Sequence, residues 1–175
     1  MSDEDWYASN RAWWDARAPV HAASEFYGLE AFVADPGATT LRPFEVEEVG
    51  DVAGRALVHP QCHFGMDTLS WARRGAEVVG IDLSPAAVDA ATGAADRAGL
   101  DATIEATRVY EWNHGLGEVL SAVLDPGFTI ELFHEHDYTL FQRWPFLEKE
   151  GRDTYRLPAG MPSLPLMYSL RARKD

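Results

Sequence analysis

Residues 55–84 read RALVHPQCHFGMDTLSWARRGAEVVGIDLS, and this stretch decides the fold. Residues 55–59 (RALVH) form a short apolar run with glycine before it and a loop after it, the pattern of a buried strand. Residues 67–74 (DTLSWARR) keep helical spacing through Leu69, Ala72 and Arg73, and Gly75 stands where a helix C-terminal glycine belongs. Residues 77–83 (EVVGIDL) are β-branched and apolar, a second strand. Ser84 then caps a helix whose first position is Pro85, and the alanine-rich run 85–98 closes on Gly99. Residues 102–109 (ATIEATRV) supply a third strand. The order strand, helix, strand, helix, strand predicts a parallel sheet with right-handed crossovers, hence an α/β fold.

Outside this block, residues 3–18 place Trp6, Asn10, Trp13 and Trp14 near one face at helical spacing, an aromatic helix that must cover something. Residues 23–34 read as a second short helical or irregular piece, ended by Asp35-Pro36-Gly37. Past residue 109 the rhythm breaks. Residues 115–124 predict a helix, 128–136 (FTIELFHEH) a strand, and 166–173 a last strand, with a loop carrying Trp144, Pro145 and Phe146 between the two strands. Strand, long loop and strand without a further crossover predict an antiparallel terminal pair.

The chain has 175 residues and a formal net charge of −13, which argues against nucleic acid and against an anionic membrane surface as partners. Hydrophobic residues make up 46%, enough for a packed core in a single domain. The acidic start has no secretory signal pattern, and no apolar stretch reaches membrane-spanning length. With a lone Cys62 as well, the expectation is a soluble, cytoplasmic protein.

The turn after the first strand, His59-Pro60-Gln61-Cys62-His63-Phe64-Gly65, joins the carboxyl end of a parallel strand to a helix N-terminus, where ligands of open α/β sheets bind. Asp82, seventeen residues after Gly65, ends the second strand, the place of an acid that takes ribose hydroxyls. A tight turn and a capping aspartate explain the same residues without a ligand.

The stretch HPQCHFGMDTLSWARRGAEVVGIDLSPAAV resembles a bacterial family of class I S-adenosylmethionine-dependent methyltransferases, whose loop is of Gln-Cys-His-Phe-Gly type. The resemblance extends to RAWWDARAPVHAASEFYGLEAF, to YEWNHGLGEV, and to the tail segments FHEHDY and LPLMYSLRA. It implies a Rossmann-like sheet in which Gln61, Cys62, His63 and Gly65 face the cofactor and Asp82 holds its ribose, with the N-terminal helices as a lid. In the family the third strand ends in an acid that helps hold adenine, and fourth and fifth strands precede the YEWNH segment. Here Thr107 takes the place of the acid and Tyr110 follows at once. The implied molecule is a truncated sheet of about five strands with helices on both faces and an antiparallel C-terminal pair. Its single domain has lid helices in 1–50, the cofactor-loop half in 51–109, and the C-terminal helix and strand pair in 110–175. A second copy or partner chain would fill the missing layer.

Small-molecule methyl transfer with S-adenosylmethionine is the function this implies. Pro60, Thr107 and the shortening open an alternative in which the cofactor has been lost. That alternative leaves a cofactor-independent biosynthetic enzyme (intramolecular displacement or cyclisation) or a non-catalytic subunit. Glu111 and His114 form an acid and base pair towards an acceptor, or merely flank Asn113 as a helix cap. Cys62 beside His63 reads as a nucleophile or as a plain loop residue. His134 and His136 lie on one face of a strand at a metal-binding spacing, against which stands a structural role, and no metal is expected. Trp13, Trp14, Phe26 and Tyr27 read as a packed lid or as a cage for a cation.

Overall fold

In the computed structural model the described residues are 3–108, 114–151 and 153–174. The chain divides into two compact units, Met1–Trp112 and Asn113–Asp175. In the first unit, β1 (Ala56–Pro60), α4 (Met66–Arg73), β2 (Glu77–Asp82), α5 (Pro85–Ala98) and β3 (Thr103–Ala106) follow α1 (Asp3–Ala22), α2 (Leu29–Ala34) and α3 (Pro43–Val49). The three strands are parallel in the order β1-β2-β3, with Leu57 beside Val78 and Gly80 beside Ile104. The molecule is thus α/β, and the alternation read from residues 55–106 is present.

Local chemistry explains the boundaries. Ser84 accepts a hydrogen bond from Ala87 N–H at 3.1 Å, Pro85 opens α5, and Gly99 closes it in the left-handed conformation. Pro19 lies inside α1, where it has no N–H to give the carbonyl of Asp15. The apolar core has two parts. Leu29, Phe32, Phe64, Met66, Leu69, Ala94 and Ala95 join α2, α4 and α5, while Leu41, Val52, Trp71, Ala76 and Val78 fill the opposite end of α4. Arg73 ties α4 to the preceding segment by donating to Phe32 O at 2.8 Å and Ala38 O at 2.6 Å.

Two expectations are corrected here. The apolar run 55–59 predicts a buried strand, yet β1 is an edge strand whose Ala56, Val58 and Pro60 are exposed, Val58 by 60%. Proline has no ladder donor and is tolerated on such an edge, so Pro60 belongs to the position it holds. Helices on both faces are also expected. Instead, Thr68 of α4 meets His59, and Trp71 packs near Leu57 and Val78, all of which share one face in the observed register. Ala94 and Ala95 of α5 pack with Leu69 of α4, so both crossovers lie in the same layer.

The second unit holds α6 (Leu116–Leu124), β4 (Phe128–His136), β5 (Tyr138–Thr139), β6 (Glu148–Lys149), β7 (Tyr155–Arg156) and β8 (Met167–Lys174). β4 and β8 form the expected antiparallel pair, broken by an irregularity between Ile130 and Leu132. They make a sheet of their own, and β5, β7 and β6 make another, so about five strands in one sheet is replaced by three small sheets among the described residues. Arg156 anchors the smaller sheet between Asp137 and Glu150.

Gly65 is the packing constraint on which the first unit turns. Its φ is 80°, and an added Cβ would lie 2.9 Å from Ala91 Cβ on α5. Gly65→Ala should therefore destabilise the full chain by about 2–4 kcal/mol in urea unfolding, combining backbone strain and overpacking. An unchanged midpoint would mean that the loop does not press on α5.

Candidate functional site

The site is built where β1 and β2 end. The turn between β1 and α4 is held in a contorted path, with Gln61 at φ 59°, His63 at φ 52° and Gly65 at φ 80°. Two left-handed non-glycine residues in one short turn are costly, and they persist only where surrounding bonds impose them. Those bonds are visible. Cys62 N–H donates to Ile81 O at 3.0 Å, Gly65 N–H to Cys62 O at 2.9 Å, and His63 N–H to Asp82 Oδ2 at 2.8 Å. Asp82 Oδ1 takes a second donor, Ser84 N–H, also at 2.8 Å. One carboxylate thus ties the turn after β1 to the turn after β2, and each of its oxygens keeps a lone pair for a further donor.

The N-terminal helix covers this junction. Asp15 Oδ1 accepts from Ser84 Oγ at 2.5 Å and from Ala86 N–H at 3.2 Å, which places α1 over the start of α5. His21 Nδ1 lies 3.3 Å from His63 Nε2. Trp14 and Tyr27 meet the His63 ring edge-on, with centroids 5.8 and 5.9 Å away. These rings pack on the turn and on one another, so Trp14 and Tyr27 serve as cover, while Trp13 (47% exposed) and Phe26 (64%) look outward.

Of the expected site residues, Cys62, His63, Gly65 and Asp82 are brought together, and Gln61 stands exposed at the top of the turn. Burial, with the charge of Asp82 nearby, pushes the Cys62 thiol up to about 12. It is a thiol at neutral pH, which removes it as a nucleophile. His114 is exposed in the second unit and sits 3.4 Å from Glu118 Oε2, while Glu111 and Asn113 lie outside the described residues. Gly115 N–H donates to Glu118 Oε2 at the start of α6. His136 Nε2 meets Ser169 Oγ at 3.1 Å, and no group of three or more His, Cys, Asp or Glu is arranged for a metal ion among the described residues. Thr107 donates its N–H to Asp82 O at 2.8 Å and offers no carboxylate.

One residue escaped the sequence reading. His59, on β1, places Nδ1 2.8 Å from Oγ1 of Thr68, a residue with no exposure at all. The available signal was its parity with Leu57, which puts it on the helix-covered face next to the turn. A separate concavity of about 450 Å³ lies between α2 and α5, lined by Leu29, Asp89, Ala90, Gly93, Asp96 and Arg97. It is an open trough whose cation Arg97 is engaged by Glu30 at 2.9 Å, so the strand ends carry the chemistry better.

No helix is long and apolar enough to cross a membrane among the described residues. No family model and no curated protein matches the chain. Among solved structures it is similar to a chain described as "Conversion of a Disulfide Bond into a Thioacetal Group during Echinomycin Biosynthesis", at 36% identity and a TM-score of 0.35. The match covers 42% of this chain and spans only 31% of the other's length.

Burial lowers the pKa of both His59 and His63 from the ordinary 6.5, with the His21 ring adding repulsion at His63 and nearby carboxylates opposing the shift. Neutral imidazoles in the fold and protonated ones in the unfolded chain give a definite sign. Their contribution is complete above pH 6.5 and is lost as pH falls through the lowered folded values. Unfolding free energies from urea titrations should therefore drop between neutral pH and pH ~5.5, by up to about 1.4 kcal/mol per pH unit for each proton taken up. His59→Gln should flatten that slope; a slope of opposite sign would contradict the burial of these rings.

Proposed function

We propose that this chain is an S-adenosylmethionine-dependent methyltransferase-like protein acting on a small molecule. The observation that carries the reading is the bond from His63 N–H to Asp82 Oδ2, because it sets a carboxylate with spare acceptor capacity against a contorted loop at the strand ends. The donor set fits the ribose and methionine end of such a cofactor. Asp82 would accept from ribose hydroxyls, and residues 61–65 would line the sulfonium side. The adenine end lacks the acid that the resemblance expects, since Thr107 stands there.

When bound, the cofactor supplies an activated methyl group on a cationic sulfur. The chain's own contributions are binding, orientation and exclusion of water. The carboxylate of Asp82 and the net charge of −13 favour a cationic ligand at this turn. α1 covers the junction through the polar contacts of Asp15 and through buried Ala18.

The exposed outer side of β1 supports the second part of the reading, in which another copy of the chain or a partner chain covers Val58 and completes the sheet. Val58→Glu should leave stability of the isolated chain within about 0.5 kcal/mol while abolishing association in light scattering. A monomeric wild type would contradict this part alone.

Isothermal titration with S-adenosylmethionine and S-adenosylhomocysteine tests the central part. Binding by both is expected, weakened about 10- to 100-fold by Asp82→Asn, the loss typical of a hydrogen bond to a charged acceptor. Failure of the folded wild type to bind either compound at millimolar concentration would reject the reading. It would favour the cofactor-independent alternative.

A further inference from the structure

Two imidazoles meet where the last turn of α1 touches the turn after β1. His21 sets Nδ1 3.3 Å from Nε2 of His63, and the two rings cross at 78° with centroids 5.2 Å apart. Aromatic neighbours hold them in that pose. Tyr27 lies against both rings, 5.3 Å from His21 and 5.9 Å from His63, while Trp14 and Phe64 meet the His63 ring at 5.8 and 4.2 Å. The backbone of His63 is fixed separately, by its N–H bond to Asp82 at a φ of 52°. Turning either ring away from the other therefore disturbs packing on several sides.

Counting protons on this geometry gives a two-step result. Two neutral imidazoles carry one N–H each, so one facing nitrogen can donate to the lone pair of the other. A first added proton fills an outer nitrogen and leaves the bridge in place, now as a charge-assisted and stronger bond. A second puts N–H on both facing nitrogens, and the bond becomes a contact between two cations. We propose that His21 and His63 form a proton latch between α1 and the turn 61–65, which holds with neutral rings, holds tightest with one added proton and opens with two. Asp82, from β2, favours charge on His63, whereas burial and the facing His21 ring oppose it. The Cys62 thiol beside His63 stays uncharged, Tyr27 presents a phenol ring from the segment after α1, and Asp15 on α1 is engaged at Ser84 and Ala86. Opening frees the two histidine side chains, while buried Ala18 keeps α1 in place. The latch does not depend on the cofactor reading above.

The test is a titration of the ¹⁵N-histidine-labelled full chain from pH ~8 to pH ~4, followed at the ring nitrogens. Both His21 and His63 should respond at each of two separated steps, as coupled groups do. Scalar coupling through the hydrogen bond, between His21 Nδ1 and His63 Nε2, should be present before the first step, persist after it and vanish after the second. His21→Phe keeps a ring against Tyr27 and removes the nitrogens, so His63 should then titrate in a single step that lies above the lower of the two wild-type steps. An amide spectrum unchanged away from residue 21 shows that this variant is folded. Independent single steps in the wild type that His21→Phe leaves unmoved, or no coupling in the neutral protein, would overturn the latch. Binding of S-adenosylmethionine, or its failure, moves neither readout in the free chain.

Discussion

The carboxylate of Asp82 accepts one backbone N–H on each oxygen, from His63 and from Ser84, and the turns of the first unit are arranged around that pair of hydrogen bonds. It needs β1 and β2 to run parallel and end side by side, which they do in the pairing of Pro60 with Ile81. It also needs very little bulk nearby. Gly80 leaves room for Cys62, Thr68 and Ile104 to converge, and Gly65 lets the start of α4 press on Ala91. Small residues here are thus packing requirements first. The same close packing holds His63 and Gln61 in strained conformations and turns the His63 amide towards the carboxylate.

A helix lies over this junction, joined to it by polar and ring contacts as well as by buried Ala18 and the core-packed Ala22. Asp15, Trp14 and His21 meet Ser84 and His63 through hydrogen bonds and ring edges, whereas Leu69, Phe64 and Ala94 below are fully packed. Pro19, set between Asp15 and His21, omits the helical bond at that point.

Much of this was legible in residues 55–106, because caps, glycines and β-branched runs are local signals. Ser84, Pro85, Gly75 and Gly99 each mark a boundary that the structure keeps. What failed was the neighbour count. An apolar run such as RALVH states that a strand forms, while the number of strands beside it and the layers over it are set by distant parts of the chain. Pro60 was the one local mark of an edge. Cys62, His63, Gly65 and Asp82 were singled out from the turn, its spacing and the resemblance, and they lie together in the structure, but His59 was not singled out, since its partner Thr68 lies nine residues on. Glu111 and His114 drew attention by residue type alone, and His114 is exposed beside Glu118. The three short strands of the second unit gave no periodic signal, being two residues each.

The most direct test of the account is amide hydrogen exchange with and without S-adenosylhomocysteine, read at His63, at Ser84 and along α1. A site formed by the Asp82 tie and closed by α1 predicts added protection at all three when the compound is present. Unchanged exchange at His63 and Ser84 in the folded chain, at saturating compound, would contradict it.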